Sequence, residues 1–302
     1  MKNIKEIFKR NPNKIKESKL DTALVIINIV LLVLFMIVIA LPLLNFFSLA
    51  FNNYNFNKNV IIFPKKISWY AFSVIFKGSE MGYFWTAFGN SVLLTLTVTI
   101  GSNLVEAMAA YPLSKRDCPI RGGIMMYFII TMLFSAGTAP IYMLMLQLNL
   151  TDNIWSCVLI SISNVGNLLY FKVFFEGLPK DIEDSARLDG ATEIQMFFRI
   201  VIPMSLPVIG SCCFFSMVGA WNGYGSALLF ISPKATNAFP LAYYLYLLNE
   251  RLSTTKSDDA ILMGRMNIQA AAMLVSIIPI ICCYPYVIRY IKGGLMIGSV
   301  KE

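Results

Sequence analysis

The first long apolar stretch of the chain, residues 23–47, reads ALVIINIVLLVLFMIVIALPLLNFF and contains no Asp, Glu, Lys or Arg. A helix needs about 20 mainly apolar residues to cross the roughly 30 Å hydrocarbon core of a bilayer. The apolar region of a signal peptide is shorter, about 7–15 residues. We therefore expect residues 23–47 to form a retained transmembrane helix, in preference to a leader cleaved after Ser48-Leu49-Ala50.

Five further stretches share this apolar character, so the sequence predicts an all-α membrane protein with six transmembrane helices. The expected spans are residues 23–47, 90–113, 123–146, 154–175, 201–231 and 268–291. The fifth is overlong and carries Pro203 and Pro207 near its start, so its first turns are expected outside the bilayer core. Residues 1–22 are expected to form a basic N-terminal segment, and residues 23–302 a single transmembrane domain.

The overall composition supports a membrane protein and excludes several kinds of enzyme. Of the 302 residues, 57% are hydrophobic and 14% are charged, whereas soluble domains average about 45–50% and about 25%. Histidine is absent, which excludes Ser-His-Asp and Cys-His nucleophile pairs and histidine-ligated metals. The six cysteines form no C-x-x-C pattern, so we expect small buried apolar groups. The chain is predicted to hold no catalytic residue, metal or cofactor.

Positive charge is concentrated in four segments that alternate with the expected spans. Residues 1–20, 115–121, 172–199 and 289–301 together contain 17 of the 25 Lys and Arg residues. Cytoplasmic loops of membrane proteins carry such an excess. The pattern predicts that both termini are cytoplasmic, and it explains the net charge of +8 better than nucleic-acid binding does.

The stretch from residue 176 to 200 reads EGLPKDIEDSARLDGATEIQMFFRI and holds six of the 17 acidic residues; we call it the acidic segment. A bare connection between two helices needs about 2–8 residues, so this length predicts a structure of its own. Asp181 is expected to cap a first short helix, and Asp189-Gly190 predicts a turn with Gly190 in a left-handed conformation. A second helix is expected to bury one apolar face, made of Ile194, Phe197, Phe198 and Val201. A protruding helix pair of this kind would suit the docking of a soluble partner.

The acidic segment and the residues after it resemble the EAA loop of binding-protein-dependent ABC importers, E-A-A-x-x-x-G followed by I-x-L-P. The residues that carry the likeness are Asp184-Ser185-Ala186, Asp189-Gly190-Ala191, Ile200 and Pro203. The spacing of the Gly, Ile and Pro matches, while Asp184 replaces Glu and Ser185 replaces the first Ala. Three further runs resemble the carbohydrate-uptake branch, similar to the smaller permease of maltose-type importers: 110–114 (AYPLS), Trp221-Asn222 and the tail 292–301.

This resemblance implies a permease subunit in the bacterial cell membrane that forms a heterodimer with a second permease. It also implies two cytoplasmic ATPase subunits, which would bind ATP and Mg, and an extracellular binding protein that delivers an oligosaccharide or related glycan. The acidic segment would be the coupling loop that the ATPase subunits move. The chain itself offers no P-loop, because Ser299 follows the glycine pair Gly293 and Gly298 where that motif needs Lys.

Several polar and aromatic residues inside the expected spans are candidates for the translocation pathway. Amides facing lipid would be costly, so these side chains should face protein or a water-filled path. Amides and aromatic rings suit sugars, but they also hold helices together, and the sequence favours neither role. The candidates are Asn164, Asn167, Trp221, Asn222 and Tyr224.

Glu106 is the only acidic residue well inside an expected span. An ionisable group in the membrane is a candidate for function by default. We expect either structural pairing, for example with a nearby Arg, or a role in gating.

The main alternative function is a six-helix secondary transporter or channel without ATPase partners. Such proteins usually show inverted repeats or several charges within the membrane, whereas this chain shows only Glu106. An intramembrane enzyme would need a His, or two acidic residues close together in the spans, for acid–base catalysis. Neither alternative explains the acidic segment.

Overall fold

The computed structural model describes residues 19–52, 63, 67–77, 83–134, 136–254 and 259–297. These residues are helical apart from turns, loops and one isolated β-bridge between Asn52 and Ile67. Most of the basic N-terminal segment (residues 1–18) and the final residues 298–302 lie outside this description, so expectations for them stay predictions.

The helices follow one another along the chain and are numbered here in that order. They are α1 (Lys19–Phe51), α2 (Tyr70–Lys77), α3 (Phe84–Ser114), α4 (Arg121–Leu133), α5 (Thr138–Gln147), α6 (Ile154–Ser161), α7 (Val165–Glu176), α8 (Lys180–Leu188), α9 (Glu193–Met196), a π-helical turn (Phe197–Val201), α10 (Ile202–Met204), α11 (Leu206–Asn222), α12 (Gly225–Phe230), a 3-10 turn (Thr236–Ala238), α13 (Leu241–Thr254) and α14 (Asp259–Ile297).

The described residues contain four helical stretches that are long and apolar enough to cross a membrane: Ala23–Phe51, Phe84–Ser114, Ile154–Glu176 and Met266–Pro285. Two bent pairs would raise the number to six, Arg121–Leu133 with Thr138–Gln147 and Glu193–Met204 with Leu206–Asn222. All six predicted apolar stretches therefore fall on helices. The number of crossings and their direction stay predictions.

The third, fourth and fifth predicted spans each consist of more than one helix, and the fourth is interrupted at residues 162–164. The third bends by 106° between α4 and α5, where Gly137 has φ +84°, a conformation that ends a right-handed helix. The fifth bends by 80° before α11, at Ser205 and immediately before Pro207, whose ring cannot continue the preceding helix.

Helix α3 packs against both α7 and α11, which also contact each other. One apolar core surrounds Phe84 and Trp221 near the start of α3, and a second surrounds Tyr111 and Phe171 near its end. By contrast, α4 buries no residue, and most of α1 exposes apolar side chains. Exposed apolar surface of this extent is covered by lipid or by another membrane subunit.

Candidate functional site

The acidic segment folds as two short helices joined by a tight turn, as predicted. Helix α8 ends at Leu188, and Gly190 in the turn has φ +80°, which confirms the left-handed conformation. Asp181 does not cap α8, because the helix begins earlier, at Lys180 after Pro179. Asp181 lies instead in the first turn, where its carboxylate still faces the positive end of the helix dipole.

The second helix of the segment begins with a capping box that the sequence reading missed. The side chain of Thr192 accepts a hydrogen bond from the backbone N–H of Gln195 at 3.3 Å, and the backbone N–H of Thr192 donates to the Gln195 side chain at 2.9 Å. The pattern T-x-x-Q is a known start signal for helices. It therefore could have placed the start of α9 correctly.

The predicted apolar face of this second helix is only half correct. Phe197 and Val201 are buried, but Ile194 is 72% exposed and Phe198 is 50% exposed. The reason is that α9 lasts a single turn and is followed by the π-helical turn Phe197–Val201. A π-turn has a wider repeat than an α-helix, so the i, i+3, i+4 spacing does not keep these side chains on one face.

Ion pairs and hydrogen bonds attach one side of the acidic segment to the membrane helices. Lys115, just after α3, pairs with Glu183 in α8. The hydroxyl of Tyr111 in α3 donates to Glu193 in α9 at 3.0 Å. Glu193 also pairs with Arg187 at 2.7 Å, and this carboxylate raises the pKa of the guanidinium.

A further ion-pair cluster lies where the acidic segment begins. Glu176 pairs with Lys172 at 3.0 Å and also with Arg121 at the start of α4. Glu183 and Glu193 therefore hold the segment against the end of α3, while Glu176, the last residue of α7, links α7 to the start of α4. The sequence did not identify Tyr111 and Glu193 as site residues. Their contact joins positions 82 residues apart, and such a contact leaves no local pattern in a single sequence.

The other side of the segment is open. Leu188 is 90% exposed, and Gly190 beside it is also exposed. Of the residues that resemble the EAA loop, Asp184, Ser185, Asp189 and Pro203 are exposed, Ala191 and Ile200 are half-buried, and Ala186 is buried against the bundle. The segment thus presents an apolar and acidic surface while its opposite face is anchored.

A cavity of about 280 Å³ lies between α3, α6, α7 and α11. Two of the five pathway candidates, Asn164 and Asn167, line it together with Ser161, Ser163 and Ser216. Its remaining walls are formed by Val98, Ile160, Phe215, Gly219 and Ala220. The cavity therefore combines hydroxyl and amide groups with an aromatic ring.

The other three candidates lie away from this cavity. Trp221 is buried, and its indole N–H donates to the carbonyl oxygen of Ser276 at 3.0 Å, which joins α11 to α14. Asn222 is exposed at the end of α11. Tyr224 is half-exposed at the break before α12 and stacks on Tyr246 with ring centroids 4.9 Å apart.

A polar cluster at the wall of the cavity joins α3, α7 and α11. The hydroxyl oxygen of Ser216 in α11 accepts hydrogen bonds from the side-chain amides of Asn167 at 3.0 Å and Asn103 at 3.2 Å, and the Ser216 and Ser102 hydroxyls share a third hydrogen bond at 3.3 Å. The Asn103 amide also donates to the carbonyl oxygen of Thr99 at 2.7 Å. Asn167 therefore serves helix packing and the cavity wall at once.

Glu106 is buried next to this cluster. Its carboxylate accepts a hydrogen bond from the backbone where the chain breaks between α6 and α7. Its Oε1 accepts a hydrogen bond from the backbone N–H of Asn164 at 2.8 Å. Asn164 is the N-cap of α7, and its side chain accepts from the backbone N–H groups of Gly166 and Asn167. Among the described residues Glu106 forms no salt bridge, so the expected pairing with Arg is replaced by a backbone N–H at a helix start.

No three Cys, Asp or Glu side chains come together as a metal site would need, within the part of the chain that the structure describes. Nothing in the described geometry therefore adds a metal to the site.

Known proteins resemble this chain over most of its length. The family described as binding-protein-dependent transport system inner membrane component matches residues 107–295. The chain is 32% identical to Protein LplC of Bacillus subtilis, over 81% of this chain and 82% of that protein. It is 30% identical to the polygalacturonan/rhamnogalacturonan transport system permease protein YtcP of the same organism, over 89% of this chain and 95% of that protein.

The architecture also resembles that of a solved structure. One chain of a bacterial ABC transporter involved in the import of the acidic polysaccharide alginate superposes with a TM-score of 0.80 at 26% identity. The alignment covers 92% of this chain and 99% of that chain. The likeness therefore extends over most of the helical fold described above.

Proposed function

Because this chain belongs to the family of inner membrane components of binding-protein-dependent transport systems, we propose that it forms, with a second permease, the translocation pathway of an ATP-driven importer. The protein is a multi-pass component of the bacterial plasma membrane. Its relatives are permeases, and ATP hydrolysis belongs in this proposal to separate subunits that bind ATP and Mg.

The acidic segment is the observation that carries the proposal. Its acids Glu183 and Glu193 are tied to α3, while Leu188 and the acids around it face outward. Leu188, Ile194 and Phe198 are exposed apolar residues of this charged segment, and together with the exposed acids they offer a protein partner both apolar and charged contacts. We assign this surface to an ATPase subunit, and the excess of Lys and Arg at this end of the bundle supports a cytoplasmic location.

The second permease is expected to cover part of the apolar surface that this chain leaves exposed. Helix α4 buries none of its residues, and α1 is exposed over residues 23–39. A secondary transporter or channel would also need cover for these helices, but it would leave the docking surface of the acidic segment without a use.

The proposed cargo is an oligosaccharide or related glycan delivered by an extracellular binding protein. Relatives transport arabinooligosaccharides, melibiose, raffinose and stachyose, as their names state. In this chain Asn164 and Asn167 offer amide groups at the cavity, and Asn222 and Tyr224 are exposed at the break between α11 and α12. Trp221 supports that break by fixing α11 to α14.

Uptake by the reconstituted importer tests this function. This chain, the neighbouring second permease, the ATPase subunits and the binding protein are placed in proteoliposomes with a panel of labelled oligogalacturonides, arabinooligosaccharides, raffinose and alginate oligosaccharides. We expect ATP-dependent uptake of at least one sugar. Uptake that persists without ATPase subunits, or an active ATPase complex that takes up no glycan, would contradict the proposal.

Tyr224, whose ring also stacks on Tyr246, allows the proposed sugar contact to be tested. An aromatic face contributes about 0.5–1.5 kcal/mol to such contacts, so Tyr224→Ala should raise the apparent KM for the sugar by about threefold to tenfold. Tyr224→Phe keeps the ring and should stay within about twofold of the wild type. The measurement is initial uptake rate against sugar concentration, with ATP hydrolysis recorded in parallel. Equal KM values for both variants would remove Tyr224 from the pathway.

A further inference from the structure

We propose that Tyr111 and Glu193 are positioning residues that make helix α3 move together with the acidic segment. Movement of the segment is then passed along α3 to the polar cluster at the cavity. This inference rests on the proposed function, in which ATPase subunits move the segment. It assigns the transmission to a specific contact between α3 and α9.

The contact is both polar and apolar. The Tyr111 hydroxyl donates to Glu193 Oε2 at 3.0 Å, and the Tyr111 ring lies 5.3 Å from the ring of Phe197, centroid to centroid. Tyr111 is only 7% exposed, and Lys115 covers its ring with the ammonium 4.5 Å from the centroid. Because Lys115 also pairs with Glu183, the end of α3 is joined to both α8 and α9.

The same helix reaches the cavity without a break. Helix α3 is continuous over Phe84–Ser114, and the nine steps from Ser102 to Tyr111 span about 14 Å at 1.5 Å per residue. Along this length Glu106 binds the start of α7, and Asn103 donates to Ser216 in α11. A displacement of α3 at Tyr111 therefore also displaces the start of α7 and the side chains that line the cavity.

The direct chain connection to α11 is less suited to this task. After α9 the backbone passes through the π-helical turn Phe197–Val201 and then bends by 80° at Ser205. Bends and π-turns are places where a helix can flex. Helix α3 offers an uninterrupted, partly buried element between the same two regions, and α7 packs against it.

The test measures sugar taken up per ATP hydrolysed by the full complex in proteoliposomes, with the sugar that the wild type accepts from the panel above. Loss of one hydrogen bond corresponds to about 0.5–1.5 kcal/mol, so Tyr111→Phe and Glu193→Ala should each lower this ratio by about threefold to tenfold. The double variant should be no lower than the worse single variant, because both remove the same contact.

Two variants distinguish this role from general stability. Glu193→Gln keeps an oxygen that accepts from Tyr111, and it should restore the ratio to within about twofold of the wild type, although it loses the ion pair with Arg187. Tyr170→Phe, at an exposed position on α7, is the matched control and should have no effect.

The outcomes separate the inference from the function on which it rests. A normal ratio in Tyr111→Phe, additive effects in the double variant, or an equal fall in uptake and ATP hydrolysis with lower yield of the complex would each overturn the positioning role alone. If the wild-type complex takes up no sugar, the proposed function fails and the inference fails with it.

Discussion

Replacing Gly190 with Val is expected to lower ATP-driven uptake at least tenfold while the chain still inserts and the ATPase subunits still hydrolyse ATP. Gly190 has φ +80°, and a left-handed backbone costs a residue with a side chain about 1–2 kcal/mol, more for a β-branched one. A Cβ at this position would meet no heavy atom within 4 Å. The penalty is therefore conformational, and the chain relieves it by changing the angle between α8 and α9.

Gly190→Asn is the matched control for this prediction. Asn adopts the left-handed region far more readily than Val, and the open space around Gly190 accepts its side chain. We expect uptake by Gly190→Asn to stay within about threefold of the wild type. Uptake by Gly190→Val at the wild-type level, with normal amounts of the complex, would show that the geometry of this turn is not used in transport.

Replacing Glu106 with Leu is the second change with a large expected effect. The substitution removes the acceptor for the backbone N–H of Asn164, a part-buried hydrogen bond of a kind that contributes about 0.5–1.5 kcal/mol, and more when the acceptor is charged. It also disturbs the start of α7, next to the cavity. We expect uptake to fall about tenfold and the unfolding temperature of the purified complex to drop, measured by thermal denaturation in detergent.

Glu106→Gln decides between the two roles expected for this residue. Gln keeps an oxygen that can accept from Asn164 but carries no charge. If Glu106 acts by stabilising the break between α6 and α7, Gln should support uptake within about twofold of the wild type. If the charge itself is needed for gating, Glu106→Gln should fail as badly as Glu106→Leu while retaining a normal unfolding temperature.

The sequence predicted where the helical stretches lie along the chain but not where they bend. Each of the six apolar stretches falls on helices, because about 20 apolar residues have few other structures available in a membrane. The bends at Gly137 and Ser205 were not predicted. Hydropathy averages over a window and carries no information on the backbone angles of one residue.

In the acidic segment, features that depend on neighbouring residues were predictable from the sequence, and features that depend on distant contacts were not. The turn at Gly190 and the capping box at Thr192 are local patterns, and both were readable from the sequence. The exposure of Ile194 was not, since it depends on a π-turn that begins three residues later. The contact between Tyr111 and Glu193 and the backbone partner of Glu106 depend on helix packing, which one sequence does not reveal.

The most direct measurement of the central claim places a photo-activated crosslinking amino acid at Leu188, the exposed tip of α8, in cells that express the whole importer. Tyr127, exposed on α4, serves as the control position. We predict a crosslink from position 188 to the ATP-hydrolysing subunit and none to that subunit from position 127. An importer that remains active but gives no crosslink to its ATPase from position 188, 185 or 194 would contradict the assignment of the acidic segment as the docking surface.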